Sequence, residues 1–213
     1  MPHGTINQWY VFHDPIPNKI IKKLWKVVGT DWEPSSVDVS GYASDEERIS
    51  GKKPDWQEAP ETRISDVIWC NDQWLYDIIF PFMAQANEEA GWKYDIKMAE
   101  SVQITRYKPG GFYKWHNDGM NDHVVTIKDA SNPEMNGLVR KLSMTILLND
   151  KFEGGEFEMM HYSKGESSIA QPFEKHRKGD VIVFPSVEEH RVTPVTRGTR
   201  YSAVVWFLGP PMV

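Results

Sequence analysis

The chain has 213 residues, of which 40% are hydrophobic and 12% aromatic, so it is long and apolar enough for a folded domain and unlike a disordered polymer. Its net charge of −6 does not favour a nucleic-acid partner, and its apolar runs are too short to span a membrane. The single cysteine, Cys70, rules out an internal disulfide, so we expect a cytoplasmic protein.

The N-terminal part is predicted to begin with an amphipathic helix. Asp14 and Pro15 are typical of a helix start, and apolar residues then repeat at helical spacing as far as Val28. Gly29 is expected to end this helix. Residues 30–61 are rich in acidic residues, glycine and proline, which predicts a mobile loop.

A second helix is predicted to begin near Asn71 or Asp72 and to end before Gly91. Pro81 should kink it, because proline lacks the amide hydrogen and its ring clashes with the preceding turn. We expect both helices to pack outside the core, so that residues 1–93 form a helical N-terminal buttress.

After Trp92 the pattern changes to short runs of β-forming residues separated by turn signals. Many short strands with turns between them predict an all-β sandwich or barrel. We therefore expect one domain over residues 1–213, with its β core over residues 94–209. The predicted strand runs are 94–98, 101–107, 138–148, 155–160, 180–184 and 201–208.

Three side chains in the β-rich half have the character of metal ligands: His116, Asp118 and His190. Residues two apart on a strand share a face, so His116 and Asp118 can reach one ion. His190 follows a strand that ends at Pro185, which a barrel can bring opposite. Two histidines and one carboxylate on one side of a metal form the ligand set of non-haem Fe(II) oxygenases. Short motifs of this kind also occur by chance, so the spacing alone leaves that reading open.

Arg200 and Ser202 are also two apart and share one face of the last predicted strand. A buried arginine stays charged and needs an anion, and a carboxylate suits its planar fork. Either a carboxylate of the protein or a dicarboxylate co-substrate can fill this role. The place of Arg200, ten residues after His190, favours the co-substrate.

Four ordered motifs between Ser101 and Leu208 resemble the catalytic core of prolyl 4-hydroxylase-like Fe(II)/2-oxoglutarate dioxygenases. The resemblance implies a mainly β fold with flanking helices, in which a double-stranded β-helix (a jelly-roll, cupin-like core) is buttressed by the N-terminal helices. The matching segments are residues 106–118, 141–149 with 152–157, 178–185, and 190–195 with 198–202.

The same resemblance implies roles for the residues of the site. The two histidines and the aspartate match the Fe(II) ligands of the family. Arg200 matches a basic residue that pairs with the C5 carboxylate of 2-oxoglutarate, and Ser202 matches a hydroxyl partner of the same carboxylate. Tyr107 matches a tyrosine near the C1 end of 2-oxoglutarate. Some relatives carry a tyrosine where this chain has Leu147, so Ser202 or Thr145 is expected to replace its hydroxyl.

The implied reaction is the hydroxylation of an aliphatic C–H by O2, with 2-oxoglutarate converted to succinate and CO2. A prolyl peptide, another protein segment or a free amino acid is the expected substrate, and L-ascorbate is a further expected ligand. Collagen-type members carry lysine in the place of Arg200, which argues against collagen-like substrates. We expect specificity to lie in the loops at 30–61, 119–137 and 161–178, with 119–137 acting as a lid over the iron.

Other classes remain to be weighed against this one. A zinc hydrolase can use the same three ligands with a water molecule, but it does not require an arginine and a serine downstream. A non-catalytic barrel that binds a ligand or partner does not require the intact ligand triad. A nucleic-acid dealkylase of the same superfamily would carry a second arginine and an asparagine in a set arrangement after His190, and this chain does not have that arrangement.

Overall fold

The computed structural model describes residues 7–38, 56–119, 126–127, 132–163, 165–173 and 177–212. Residues 39–55 of the predicted mobile loop lie outside the described residues. Most of the predicted lid at 119–137 does so as well, although a short 3-10 helix, Pro133–Met135, is described near its end.

Within the described residues the chain forms two α-helices, α1 (Asn18–Val27) and α2 (Gln73–Glu89). Helix α1 begins later than predicted. The backbone N–H of Asp14 donates to the carboxylate of Asp180 at 2.7 Å, and Asp14 has a φ of 50°. This contact holds the preceding segment against a distant turn, so the helix cannot start there.

Helix α2 begins and ends close to its predicted limits and contains Pro81. Its buried residues are Leu75, Ile79, Met83 and Ala86, which recur every three or four positions. This spacing places them on one face of the helix. The kink expected at Pro81 remains a prediction.

The described strands, in chain order, are β1 (Tyr10–Phe12), β2 (Glu33–Pro34), β3 (Val37–Asp38), β4 (Trp56–Gln57), β5 (Arg63–Ile64), β6 (Asp66–Cys70), β7 (Met98–Ala99), β8 (Val102–Tyr107), β9 (Phe112–His116), β10 (Val139–Leu147), β11 (Phe152–Gly154), β12 (Phe157–Ser163), β13 (Glu166–Ala170), β14 (Val181–Pro185), β15 (His190–Val192), β16 (Val195–Gly198) and β17 (Arg200–Gly209). Strands β8, β10, β14 and β17 confirm four of the predicted runs to within one residue at each end.

Two of the predicted runs need correction. The run at 155–160 begins later, at Phe157, because Gly155 has a φ of 65°, a left-handed conformation that a regular strand does not adopt. The run at 94–98 is wrong except for its last residue. The side chain of Asn87 binds both backbone groups of Tyr94, at 3.0 and 2.8 Å, so Tyr94 has none left for a strand partner.

Two antiparallel sheets form the core. The main sheet has the order β1-β14-β10-β17-β8-β6-β2, and β7 pairs with β17 beside this path. The second sheet has the order β13-β12-β15-β9-β5. Two smaller described pairs, β11 with β16 and β3 with β4, stand apart from both sheets.

Apolar clusters cover both faces of the main sheet. On one face, residues of both helices, such as Leu24 and Ile79, pack against residues of the sheet such as Ile104. The cluster on the other face joins the two sheets, and its buried members include Tyr107, Leu147, Phe157, Met159, Ile182, Phe184 and Val192. This sandwich with helices on one outer face confirms the predicted double-stranded β-helix core.

The N-terminal part supplies strands as well as helices. Strand β1 pairs with β14, β6 pairs with β8, and β5 pairs with β9. These strands have only two to five residues, too few to give a clear alternation in the sequence. Neither helix in the described part of the chain has the length and apolar character needed to cross a bilayer.

Ile79 allows a test of how α2 packs. The side chain is 0% exposed, so Ile79→Ala should lower the free energy of unfolding by roughly 2–5 kcal/mol, because it leaves a cavity beneath the sheet. Val27→Ala is the matched control on α1, where the residue is 44% exposed, and should cost less than about 1 kcal/mol. Urea unfolding followed by tryptophan fluorescence measures both. Equal losses for the two variants would contradict the packing described.

Candidate metal centre

The structure brings the three predicted ligands together at one end of two neighbouring inner strands of the second sheet. His116 ends β9, Asp118 follows it, and His190 begins β15. The antiparallel register sets His116 opposite His190. The two histidines face different carboxylate oxygens of Asp118. Nε2 of His116 lies 3.5 Å from Oδ1, and Nε2 of His190 lies 3.5 Å from Oδ2. One ligand atom from each residue lies within 4.8 Å of the others, which suits a single ion.

Backbone carbonyls orient both histidines. Nδ1 of His116 lies 2.8 Å from the carbonyl oxygen of Lys114, and Nδ1 of His190 lies 3.0 Å from that of Glu188. Because a carbonyl oxygen only accepts hydrogen bonds, Nδ1 must carry the proton in each ring. In a neutral ring Nε2 then carries the lone pair that a metal ligand requires, on the side of the ring that faces Asp118.

Burial and charge keep Asp118 and His190 in their metal-binding forms. Burial on its own would raise the pKa of Asp118, but His190, His116 and Arg140 favour the charged carboxylate and hold its pKa well below its usual range. Burial and His116 lower the pKa of His190 to about 4, against the opposing effect of Asp118. At neutral pH the site therefore offers a carboxylate and an unprotonated imidazole.

A partly buried ion pair supports the backbone at Asp118. Nη1 of Arg140 donates to the carbonyl oxygen of Asp118 at 3.1 Å, while Nη2 donates to Glu100 at 2.7 Å. The guanidinium also lies 4.0 Å from the ring centroid of Trp206. The sequence reasoning missed Arg140 and Glu100, because nothing local in the sequence connects residues that are 40 positions apart.

An aromatic ring covers one side of His116. The ring of Tyr113 stacks on the imidazole, with centroids 3.5 Å apart and planes at 18°. Burial raises the pKa of Tyr113 to about 12, so its hydroxyl stays protonated. Tyr113 lies inside the motif at 106–118, but its contact with the ligand could not be read from spacing alone.

Arg200 lies deeper in the sandwich and has free hydrogen-bonding capacity. The residue is 1% exposed, and burial lowers its pKa to about 10. Nη1 donates to the hydroxyl of Ser202 at 3.0 Å. Nε and Nη2 are buried and have no hydrogen-bond partner among the described residues. Two unpaired donors on the buried guanidinium of Arg200 favour the binding of an anion.

The other residues predicted for the co-substrate site lie on neighbouring strands. Tyr107 is paired with Arg200 across β8 and β17, and Leu147 is paired with Ser202 across β10 and β17. Thr145 is buried but lies opposite Val204, two pairs beyond Ser202 and therefore farther from Arg200. Ser202 is thus the hydroxyl in contact with the guanidinium.

Comparison with known proteins agrees with this geometry. Residues 102–208 match the sequence model of the 2OG-Fe(II) oxygenase superfamily. A PKHD-type hydroxylase of Xylella fastidiosa (strain M12) is 35% identical over 106 residues, which is 49% of this chain and 42% of that protein. A PKHD-type hydroxylase of Synechococcus sp. (strain JA-3-3Ab) is 34% identical over 113 residues, 52% of this chain and 43% of that protein. The match therefore spans less than half the length of these curated relatives.

Solved structures share the fold at low sequence identity. A viral collagen prolyl hydroxylase from Paramecium Bursaria Chlorella virus-1, in complex with 2OG, has a TM-score of 0.60 at 18% identity, over 95% of this chain and 97% of that chain. A Pseudomonas putida prolyl-4-hydroxylase has a TM-score of 0.56 at 17% identity, over 94% and 91%. A Trichoplax adhaerens prolyl hydroxylase, in complex with a hypoxia inducible factor peptide fragment, has a TM-score of 0.59 at 15% identity, over 94% and 83%.

The low pKa of His190 predicts how the metal-free protein responds to acid. The unfolded chain takes up the proton near pH 6.5, but the folded chain takes it up only near pH 4. The free energy of unfolding should therefore fall as the pH decreases from about 6.5 to about 4, with a contribution of up to about 1.4 kcal/mol per pH unit from this residue.

Urea unfolding at a series of pH values, with His190→Gln as the control, measures this contribution. The variant should have a flatter pH profile in this window. An NMR titration of the histidine rings gives the midpoint directly, and a midpoint of His190 near 6.5 would contradict the prediction.

Proposed function

The chain belongs to the 2OG-Fe(II) oxygenase superfamily, and from this premise we propose that it is an Fe(II)- and 2-oxoglutarate-dependent dioxygenase that hydroxylates a prolyl peptide or amino acid. One observation carries the proposal. The interior between the two sheets contains both a compact His–Asp–His site and the Arg200 guanidinium, which has two nitrogens without a partner among the described residues. The first feature suits a metal, and the second suits the carboxylate of a co-substrate.

The donor set fits ferrous iron. Two imidazole nitrogens and one carboxylate, His116, His190 and Asp118, would hold Fe(II) from one side and leave the opposite positions open. When bound, iron and 2-oxoglutarate supply the oxidising chemistry, in which O2 is consumed and succinate and CO2 are released. The chain's own task is to fix the ligands, orient the co-substrate and exclude water.

Arg200 and Ser202 would bind the C5 carboxylate of 2-oxoglutarate. Nε and Nη2 of Arg200 are the unpaired donors. The Ser202 oxygen accepts from Nη1, so its own O–H remains available to donate to the same carboxylate. Tyr107 is proposed to contact the co-substrate near its C1 end, and Thr145 is proposed to line the same pocket.

The apolar surroundings of the site favour this chemistry. Phe184 packs against the ring of His190, with centroids 4.8 Å apart, and Phe157 lies 5.4 Å from the same ring. Both phenylalanines are at most 3% exposed. A dry wall behind the ligands strengthens the electrostatic interactions inside the pocket and keeps water away from reactive species.

The substrate class is inferred from the relatives. The curated relatives described above carry the name PKHD-type hydroxylase, and the three solved structures described above are prolyl hydroxylases, one of them with a bound peptide fragment. A prolyl residue in a peptide is therefore our leading candidate. Ascorbate binding remains a prediction. A cytoplasmic location is also part of the proposal and rests on the single cysteine.

The alternatives fit the site less well. A zinc hydrolase has no use for a buried guanidinium with two unpaired donors. A ligand-binding barrel without catalysis would not require a carboxylate and two histidines in this arrangement. Both alternatives predict that 2-oxoglutarate is not consumed.

The function can be tested by the products. The protein with Fe(II), 2-oxoglutarate and O2 should form succinate, and mass spectrometry of prolyl peptides and free amino acids should find a product that has gained one oxygen atom. Asp118→Ala should reduce succinate formation to background and also abolish tight metal binding, because it removes the charged ligand. Lys114→Gln, which changes an exposed residue of β9, is the control. Succinate formation by Asp118→Ala at the wild-type rate would rule out the proposed site.

A separate prediction concerns Arg200. Arg200→Ala should raise the Kd of 2-oxoglutarate by at least about tenfold, since hydrogen bonds to a charged group are worth roughly 1.5–3 kcal/mol. Arg200→Lys should restore only part of the affinity, because an ammonium lacks the planar fork. Calorimetry on the Mn(II)-loaded protein measures these constants, and the affinity for Mn(II) itself should not change. An unchanged Kd for 2-oxoglutarate in Arg200→Ala would show that this arginine binds something else.

A further inference from the structure

Arg63 is a second buried arginine near the metal centre. Its side chain donates from Nε to the hydroxyl of Ser65 at 2.8 Å and from Nη2 to Oε1 of Gln103 at 2.7 Å. Both acceptors are neutral. The residue is only 8% exposed, so a full positive charge is buried without a counter-charge from the described residues. A buried positive charge without a counter-charge lowers the stability of the folded state unless an anion binds to it.

Other arginines of this structure have a carboxylate as the counter-charge of the guanidinium. Of the arginines that the structure describes, Arg63 and Arg200 are the two that are almost fully buried, and neither contacts a described carboxylate. Three arginines that are less buried each pair with one: Arg106 with Asp66, Arg140 with Glu100 and Arg191 with Glu158.

Arg63 is separated from a metal ligand by one aromatic ring. Its Cζ atom lies 4.7 Å from the ring centroid of Tyr113, and the same ring stacks on His116. Strand β5 pairs directly with β9, where Arg63 is opposite Tyr113. The unpaired charge therefore belongs to the neighbourhood of the metal centre.

Arg63 and Arg200 contact different positions along β8. Its partner Gln103 is four residues before Tyr107 on β8, and Tyr107 is the residue paired with Arg200. Four residues of a strand span about 13 Å between backbone positions. These separate positions along β8 favour two different ligands for the two arginines.

Two donors at this position have no hydrogen-bond partner among the described residues. Nη1 of Arg63 is one of them, since only Nε and Nη2 of this guanidinium bond to described residues. The other is Nε2 of Gln103, whose Oε1 accepts from Arg63 and from the hydroxyl of Thr105 at 3.2 Å. Since a guanidinium can only donate, this amide orientation is fixed.

We propose that Arg63 and Gln103 form a second anion-binding subsite, which binds a carboxylate of the molecule that is hydroxylated. The inference rests on the proposed function and narrows its substrate class. The carboxylate is either the α-carboxylate of a free amino acid or an acidic side chain beside the target residue of a peptide. Both sources offer the same two oxygens to Nη1 and Nε2.

Pairs of probe molecules that differ only in a carboxylate or its amide test whether the subsite recognises the negative charge, without any mutation of the protein. One pair is L-proline and L-prolinamide, and the other is the blocked tripeptides Glu-Pro-Gly and Gln-Pro-Gly. Binding is measured by calorimetry with Mn(II) and 2-oxoglutarate in the absence of O2. We expect the wild-type protein to bind the acid of at least one pair about tenfold or more tightly than its amide. The pair that shows the preference identifies the source of the carboxylate.

Variants then assign the preference to the subsite. Arg63→Met and Gln103→Leu should reduce the acid-to-amide preference to less than about threefold, while the Kd values of Mn(II) and 2-oxoglutarate stay at the wild-type level. Lys114→Gln is the control, because it removes one exposed positive charge from the adjacent strand and should keep the preference.

The outcomes separate this inference from the proposed function. Succinate formation by the wild-type protein tests the function and does not depend on Arg63. Equal affinities within both probe pairs, or no binding of any of the four probes, would overturn the subsite. A preference that survives in Arg63→Met would overturn it as well.

Discussion

The candidate site depends above all on the pairing of β9 with β15. This pairing sets His116 opposite His190 and brings Asp118, just beyond the strand, within reach of both imidazoles. Side chains alternate between the faces of a strand, so a register shift of one residue would turn one histidine away from the other. The apolar contacts between the sheets, which involve Phe157 and Phe184, hold that register in place.

Unmatched charge distinguishes this interior from an ordinary β sandwich. The burial of Arg200 and Arg63 costs free energy that the described residues do not recover through ion pairs. A protein that keeps such charges is less stable without ligands than with them, and each ligand that binds stabilises the folded state. The same unpaired donors that weaken the empty fold would give the site its selectivity for anions.

Much of the core was predictable, because its signals are local. His116 and Asp118 lie two apart, and the long strands of the main sheet have clear apolar patterns. Contacts between distant segments could not be predicted. Arg63 and Gln103 are 40 positions apart, and neither lies in a motif that the sequence reasoning used for the site. The residues around Tyr94 favour a strand by their composition, but a side chain from α2 binds both backbone groups of Tyr94.

The contact of Arg140 with Asp118 has a mechanical consequence. Arg140 is on β10 in the main sheet, whereas Asp118 follows β9 in the second sheet, so their hydrogen bond fastens one sheet to the other beside the ligands. The sheets cannot move apart at this edge without pulling on the backbone of Asp118. Separation of the two sheets at this point and release of a bound ion are therefore coupled. An ion bound in the site would stabilise the closed arrangement of the sheets against local unfolding.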